Sequence, residues 1–129
     1  MSLSKPARVQ ITTFADGGGR TSSHEFAVPL DDNTIAIWTN DAPAWAQRLA
    51  GSAVVSVQVA DRGGRPLVSE PVLEGRAEVL IEGPDVDRAR TLTEAVNGVA
   101  AQLSRAADWA RELRSEKTPA GAVIVHIVG

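Results

Sequence analysis

Hydrophobic and polar residues alternate along most of this 129-residue chain, and the period lengthens to that of a helix in three segments. Alternation with a period of two is typical of half-buried strands, whereas apolar residues three or four positions apart are typical of helices. Strands are predicted at 8–14, 21–28, 34–39, 53–60, within an extended segment over 66–81, and at 122–128. The apolar run 53–60 is expected to be a central strand buried on both faces.

A short helix is predicted between the third and fourth strands, over residues 42–49. Pro43 suits the first turn, because the backbone N–H that proline lacks has no helical partner there. Trp45 and Leu49 form the apolar stripe of this helix, and Gly51 is placed to end it. Since a helix N-terminus presents N–H groups without helical partners, the start of this helix is predicted to be a seat for a phosphate or carboxylate.

A longer helical pattern starts at Pro84, after which apolar residues recur at helical spacing behind an acidic first turn. It is expected to end or kink at residues 97–98, and a second helix is predicted over 99–113. Together these elements describe one α+β domain over residues 1–129, with six to seven antiparallel strands on a barrel, a short inserted helix and a C-terminal helical pair.

The composition restricts the function classes. The formal net charge of -3 argues against nucleic acid as the main partner, because phosphate binding normally needs a basic surface. There is no cysteine, which excludes disulfides and thiolate chemistry, and two histidines without cysteine make a zinc site improbable. No apolar run is long enough to span a membrane and no secretory signal is visible, so a cytoplasmic protein is expected.

Three segments resemble a known family. Residues 21–26 read Thr-Ser-Ser-His-Glu-Phe, residues 38–40 read Trp-Thr-Asn and are followed by Gln-Arg-Leu at 47–49, and residues 61–66 read Asp-Arg-Gly-Gly-Arg-Pro. In these residues and in element order the chain resembles the split β-barrel proteins related to pyridoxamine 5'-phosphate oxidase, of the FMN-binding split-barrel type. The resemblance covers roughly residues 8–82, and its nearest match is the branch that uses the deazaflavin coenzyme F-420.

The resemblance implies a homodimer that holds F-420 or FMN in grooves at the subunit interface. It also implies hydride transfer to or from a small organic molecule, a reaction in which the cofactor carries the chemistry and the protein positions it. It names no catalytic side chain, because no proton-transfer residue is common to the family. The cofactor-binding residues expected from it are Ser22, Ser23, Trp38, Thr39, Asn40 and Arg48.

The chain departs from the family pattern where relatives place basic residues on the short helix, because it has Ala44, Trp45 and Ala46 there. A charge-assisted contact to phosphate is about twice as strong as a neutral hydrogen bond, so this loss weakens the expected grip on the cofactor. The alternative function is therefore a non-catalytic split-barrel module that binds a hydrophobic or flavin-like ligand. The strand at 21–26 also departs, because it carries His24 and Glu25.

Several of these residues could have a purely structural role instead of a role in ligand binding. Thr39 or Asn40 could cap the short helix, and Trp45 could pack in the core or a dimer contact, or stack on a ligand ring. Arg48 could pair with a nearby aspartate, Asp41 or Asp31. His126, in the last strand, is expected to be buried and hydrogen-bonded.

Overall fold

The computed structural model describes residues 5–61, 63–97 and 120–128, which form a closed barrel of six antiparallel strands with two helices. In chain order the elements are β1 Ala7–Phe14, β2 Arg20–Asp31, β3 Thr34–Thr39, α1 Ala42–Arg48, β4 Val54–Val59, β5 Leu73–Leu80, α2 Pro84–Asn97 and β6 Gly121–Val128. The second predicted C-terminal helix, over 99–113, lies outside the described residues. Neither helix in the described ranges is long and apolar enough to cross a membrane.

Neighbouring strands follow the order β1-β2-β3-β6-β5-β4, and β4 closes the barrel by pairing with β1. Alternate side chains point inward, as strand periodicity dictates. The interior is filled by small and branched apolar side chains, so it is a packed core. Its fully buried members include Val9, Ile11, Ala27, Ile35, Ile37, Val55, Val57, Val123 and Val125.

A second apolar cluster covers the outer wall of the barrel. Helix α2 packs there against β2, β3 and β6, and buries Val86 and Ala89 against outward-facing residues such as Val28, Ala36 and Ile124. Arg88 ties the helix to the β2–β3 corner by donating from Nη2 to the carbonyl of Leu30, 2.7 Å away. These contacts explain why the strands below α2 are apolar on both faces.

Two strand predictions need correction. The extended segment 66–81 is a strand only from Leu73; before it the chain forms an irregular loop in which Val68 is 96% exposed. Strand β4 is buried only on its inward face, because no helix covers its outer side among the described residues; Val54, Ser56 and Gln58 there are half-buried. Gln58 instead donates from its amide to the loop carbonyls of Leu67 and Glu70.

Tight turns connect β1 to β2 and β2 to β3. Gly17 and Gly18 have φ values of 85° and 92°, which L-residues adopt only with strain, and Ala15 N–H donates to the carbonyl of Gly19 across the turn. At the β2–β3 corner the Asp31 carboxylate accepts from the backbone N–H of Asn33 at 2.9 Å. Hydrogen bonds from Asn33 and Thr34 lower the pKa of Asp31.

This lowered pKa predicts a pH dependence of stability. A group whose pKa is depressed by folding stabilises the fold above its unfolded pKa, about 3.9 for aspartate, and that contribution is lost as the pH falls through the folded pKa. Asp31→Asn is therefore expected to lower the free energy of unfolding at pH 7. The difference from the parent should shrink as the pH falls below about 4, as measured by urea unfolding from pH 7 to 3. A difference that is constant across this range would contradict the prediction.

Strand β2 is longer than its pairing with β3, and this irregularity creates an opening in the barrel wall. Strand β2 has 12 residues, but it pairs with β3 only from Ala27 onward. Its first half, residues 20–26, pairs with β1 and has no strand of the described chain on its other edge. The barrel wall is thus open between the first half of β2 and the end of β3.

Candidate functional site

Helix α1 lies across the end of the barrel and joins the two sides of this opening. Its first residue, Ala42, is buried close to Gly121 at the start of β6, where an added Cβ would be 3.3 Å from the Ala42 Cβ. In the middle of the helix Trp45 projects into the barrel core and is 5% exposed. At its last residue, Arg48 reaches the β1–β2 hairpin. The helix therefore closes the barrel end with Trp45 and presents Arg48 beside β2.

The start of α1 is organised by Asp41. Its carboxylate is the N-cap and accepts from the N–H of Ala44 at 3.2 Å, while Thr39 Oγ1 accepts from the Asp41 N–H at 3.0 Å. The expectation that Thr39 or Asn40 caps the helix is therefore corrected to Asp41. A carboxylate that occupies the first turn also repels anions, so the predicted phosphate seat at this helix start is not supported.

Arg48 is held by three hydrogen bonds to the hairpin. Its Nε donates to Thr13 Oγ1 at 3.2 Å, Nη1 donates to Ser23 Oγ at 2.9 Å, and Nη2 donates to the Thr21 carbonyl at 3.1 Å. These acceptors come from two strands, and they fix the plane of the guanidinium. Pairing of Arg48 with Asp41 or Asp31 is accordingly excluded as its main contact.

The same guanidinium lies over the indole of Trp45, with its central carbon 4.1 Å from the ring centroid. This distance is within the range of a cation–π interaction. Burial lowers the pKa of Arg48, and the negative charge of Glu25 acts in the opposite direction. Because Trp45 has one ring face under Arg48 and its body in the core, the option that it stacks on a ligand ring is wrong.

The six predicted cofactor residues fall into three places. Ser23 and Arg48 are in direct contact on the inward side of the opening. Thr39 and Asn40 are half-buried at the junction of β3 and α1. The other two face outward: Ser22, exposed, shares a 2.8 Å hydrogen bond with Thr12, and Trp38 is half-buried against the outer cluster. Within one protomer, then, the described structure brings only Ser23 and Arg48 together.

One residue of the site, Thr13, was not predicted, whereas Glu25 was expected near the pocket as a departure from the family pattern. Thr13 accepts from Arg48, and Glu25 is half-buried on the inward face of β2, two positions beyond Ser23. The sequence contained a signal for Thr13, because an inward-facing polar residue at the end of an apolar strand marks the rim of a barrel. Hairpin pairing places Thr13 directly opposite Thr21, so both strands contribute polar groups to that rim.

The two histidines lie elsewhere. His24 faces outward on β2 and packs under the loop after β4, where a Cβ on Gly64 would be 2.8 Å from its ring. His126 is not buried as expected: its side chain is 55% exposed and lies 3.5 Å from Glu78 Oε1 and 3.4 Å from Thr34 Oγ1. It faces outward at the far end of β6, beyond the cover of α2.

Neither a protein-family model nor a curated protein sequence matches this chain, so the comparison rests on solved structures. A candidate pyridoxamine 5'-phosphate oxidase from Lactobacillus delbrueckii superposes with a TM-score of 0.56 at 13% identity, covering 95% of this chain and 81% of the other. An FMN-binding protein from Syntrophomonas wolfei gives 0.57 at 13% identity, covering 93% and 72%. HutZ, the heme storage protein of Vibrio cholerae, gives 0.56 at 11% identity, covering 95% and 82%.

These similarities establish the fold. The chain has the split β-barrel architecture of pyridoxamine 5'-phosphate oxidase-like proteins, as its sequence predicted. The same architecture occurs in proteins named for FMN and for heme, so it admits more than one planar cofactor. Membership of the F-420 branch stays a prediction.

Proposed function

We propose that this protein is a cytoplasmic homodimer that binds a flavin-type cofactor, F-420 or FMN, and transfers a hydride to or from a small organic molecule. The observation that carries the proposal is the orientation of Arg48. Its guanidinium is fixed between Trp45 and the β1–β2 hairpin at the opening beside β2, in a fold shared with an FMN-binding protein.

The donors at this opening fit an anionic group. Three of the five N–H groups of the Arg48 guanidinium donate to oxygens of the described chain. The others are left for a ligand as far as the described residues go, and the Ser23 hydroxyl lies alongside. Because the arginine is already oriented, little side-chain freedom is lost when an anion binds. The proposal assigns the cofactor's phosphate to Arg48 and Ser23.

The remaining predicted residues fit a site that is shared between two subunits. Ser22 and Trp38 face outward, away from Arg48, so in a single protomer they cannot contact the same ligand. In a dimer, a ligand at the interface would meet the inward rim of one protomer and the outer wall of its partner. Thr39 and Asn40, at the edge of the opening, would line the cofactor ring from β3.

The bound cofactor would supply the hydride chemistry itself. The chain's contribution is to hold the phosphate with Arg48 and Ser23 and to keep that end of the barrel closed to water with Trp45. No side chain is assigned a proton-transfer role.

A second candidate function is a binding module without turnover. It is favoured by the small number of groups that can bind an anion. Ala44 and Ala46 are exposed on α1 where the resembled family places basic residues, and Asp41 adds a negative charge to the start of the helix. Such a module would bind a planar ligand mainly through apolar contacts. It predicts binding without redox activity, whereas the first proposal predicts both.

Titration of the purified protein with F-420, FMN and hemin tests these proposals. Saturable binding of F-420 or FMN with a dissociation constant below about 100 µM, about -5.5 kcal/mol, is expected, with light scattering at twice the 13.6 kDa of the chain. Binding without reduction or oxidation of any added substrate would support the module. Exclusive binding of hemin, or a monomer that binds no flavin, would overturn the proposed function.

A further inference from the structure

Glu25 introduces a negative charge next to Arg48, the cationic member of the proposed phosphate site. It follows Ser23 by two residues on the same face of β2, so it projects toward the same opening about 7 Å along the strand. Ser23 is in direct contact with Arg48. Glu25 is half-buried, which reduces the screening of its charge by solvent.

Charges from the other elements around this opening do not offset Glu25. The residues of β1 that face the site are Ile11 and Thr13, and the described end of β3 contributes Thr39, so both strands are uncharged there. On α1 the neighbouring charges are Arg48 and, at the opposite end of the helix, Asp41. On the inward side of the opening the local charge is therefore one arginine opposed by one carboxylate, whereas Arg20, at the start of β2, is exposed on the outward face.

We propose that Glu25 makes the Arg48 site selective for singly charged groups, such as phosphodiesters and carboxylates, over dianionic phosphate monoesters. The inference rests on the proposed function and names the cofactor class it favours. FMN ends in a phosphate monoester, which is close to doubly charged at neutral pH, whereas the phosphate of F-420 is a diester with one charge. Of the two cofactors, the site therefore favours F-420.

The physical reason is that the repulsion from Glu25 scales with the charge of the ligand. A carboxylate at a fixed distance disfavours a dianion by twice the energy that it applies to a monoanion. Removing the charge of Glu25 should therefore raise the affinity for a dianion by a factor equal to the square of the factor for a monoanion. A threefold gain for a diester implies about a ninefold gain for a monoester, and no change for a neutral ligand.

The first experiment needs no flavin. Methyl phosphate and dimethyl phosphate are titrated at pH 8 into protein with ¹⁵N-labelled arginine, following the Arg48 Nε resonance, which is assigned by its loss in Arg48→Lys. In Glu25→Gln, methyl phosphate affinity should rise several-fold more than dimethyl phosphate affinity. The matched control is Glu74→Gln, which removes the same charge at an exposed outward position on β5. Glu74→Gln should leave both affinities unchanged.

The second experiment compares FMN with riboflavin, which lacks the phosphate, in the same proteins. Glu25→Gln should tighten FMN about three- to tenfold, with riboflavin unchanged, and 1 M salt should remove most of the gain. Equal gains for the two alkyl phosphates, or no response of Arg48 to either, would overturn the inference. If Arg48 discriminates between the alkyl phosphates but no flavin binds, the proposed function fails and the selectivity of the site stands.

Discussion

Arg48→Ala is expected to weaken binding of a phosphate-bearing flavin about 10- to 150-fold while leaving riboflavin affinity nearly unchanged. A hydrogen bond to a charged group contributes about 1.5–3 kcal/mol, and Arg48 is the cation that the described structure fixes on the inward side of the opening. The measurement is fluorescence titration with FMN, F-420 and riboflavin. The free energy of unfolding should fall by only about 1 kcal/mol, because the buried Thr13 hydroxyl keeps its hydrogen bond to the Thr21 carbonyl, and Thr21 and Ser23 lie at the open rim.

The matched control is Arg48→Lys, which keeps the charge but not the planar fork that reaches Thr13 and Ser23 together. The lysine variant should recover part of the affinity for FMN but not the fixed orientation of the cation. Its affinity should therefore lie between those of the parent and the alanine variant. If Arg48→Ala weakened FMN and riboflavin equally, Arg48 would be acting through the fold and not through the phosphate.

Trp45→Ala is expected to lower the free energy of unfolding by about 3–5 kcal/mol, the range found for truncation of a buried aromatic side chain. Trp45 is 5% exposed and belongs to the barrel core. A helix of seven residues cannot persist on its own, so its attachment depends on this anchor. Since small domains are stable by only about 5–15 kcal/mol, the variant should be close to unfolding at room temperature. Urea unfolding followed by circular dichroism measures the change.

Two further variants show whether the loss of stability comes from removing the indole from the core or from removing apolar surface in general. Val68→Ala, in a residue that is 96% exposed, should change stability by less than about 0.5 kcal/mol. Trp45→Phe, which keeps an aromatic ring in the core, should cost clearly less than Trp45→Ala. If Trp45→Ala cost no more than Val68→Ala, the indole would not be part of the core, and the assignment of α1 as the closure of the barrel would be wrong.

Most of the fold followed from local patterns. The bounds of β3 and the start of α2 agree with the prediction, and β1, α1, β4 and β6 differ by a residue at their ends. Such agreement is expected where periodicity, glycine turns and proline positions all act within a few residues. Two misses are larger. Strand β2 continues to Asp31 where the prediction stopped at residue 28. Residues 66–72 are a loop, because extended chain and strand have the same alternation and only the pairing partner distinguishes them.

The candidate site was harder to predict, because its geometry depends on contacts between residues far apart in the chain. Arg48 meets Ser23 across 25 positions and Thr13 across 35. No feature of the sequence around Arg48 favours these oxygens over the carboxylate of Asp41, which is nearer in the chain. Trp45 presented the opposite difficulty, since its helical position allowed both a core and a ligand-facing orientation. Only the tertiary structure shows that it packs in the barrel core.

The sequence by itself determined the elements, the antiparallel barrel and the scarcity of positive charge on α1, because these properties depend on residue type and on spacing along the chain. Only the tertiary structure decided that β2 extends beyond β3, that Asp41 occupies the start of α1, and that Arg48 is bound between Trp45 and the hairpin. The physical reason is that register and closure fix which of several equivalent polar partners lies within hydrogen-bonding distance, and no local pattern records that choice.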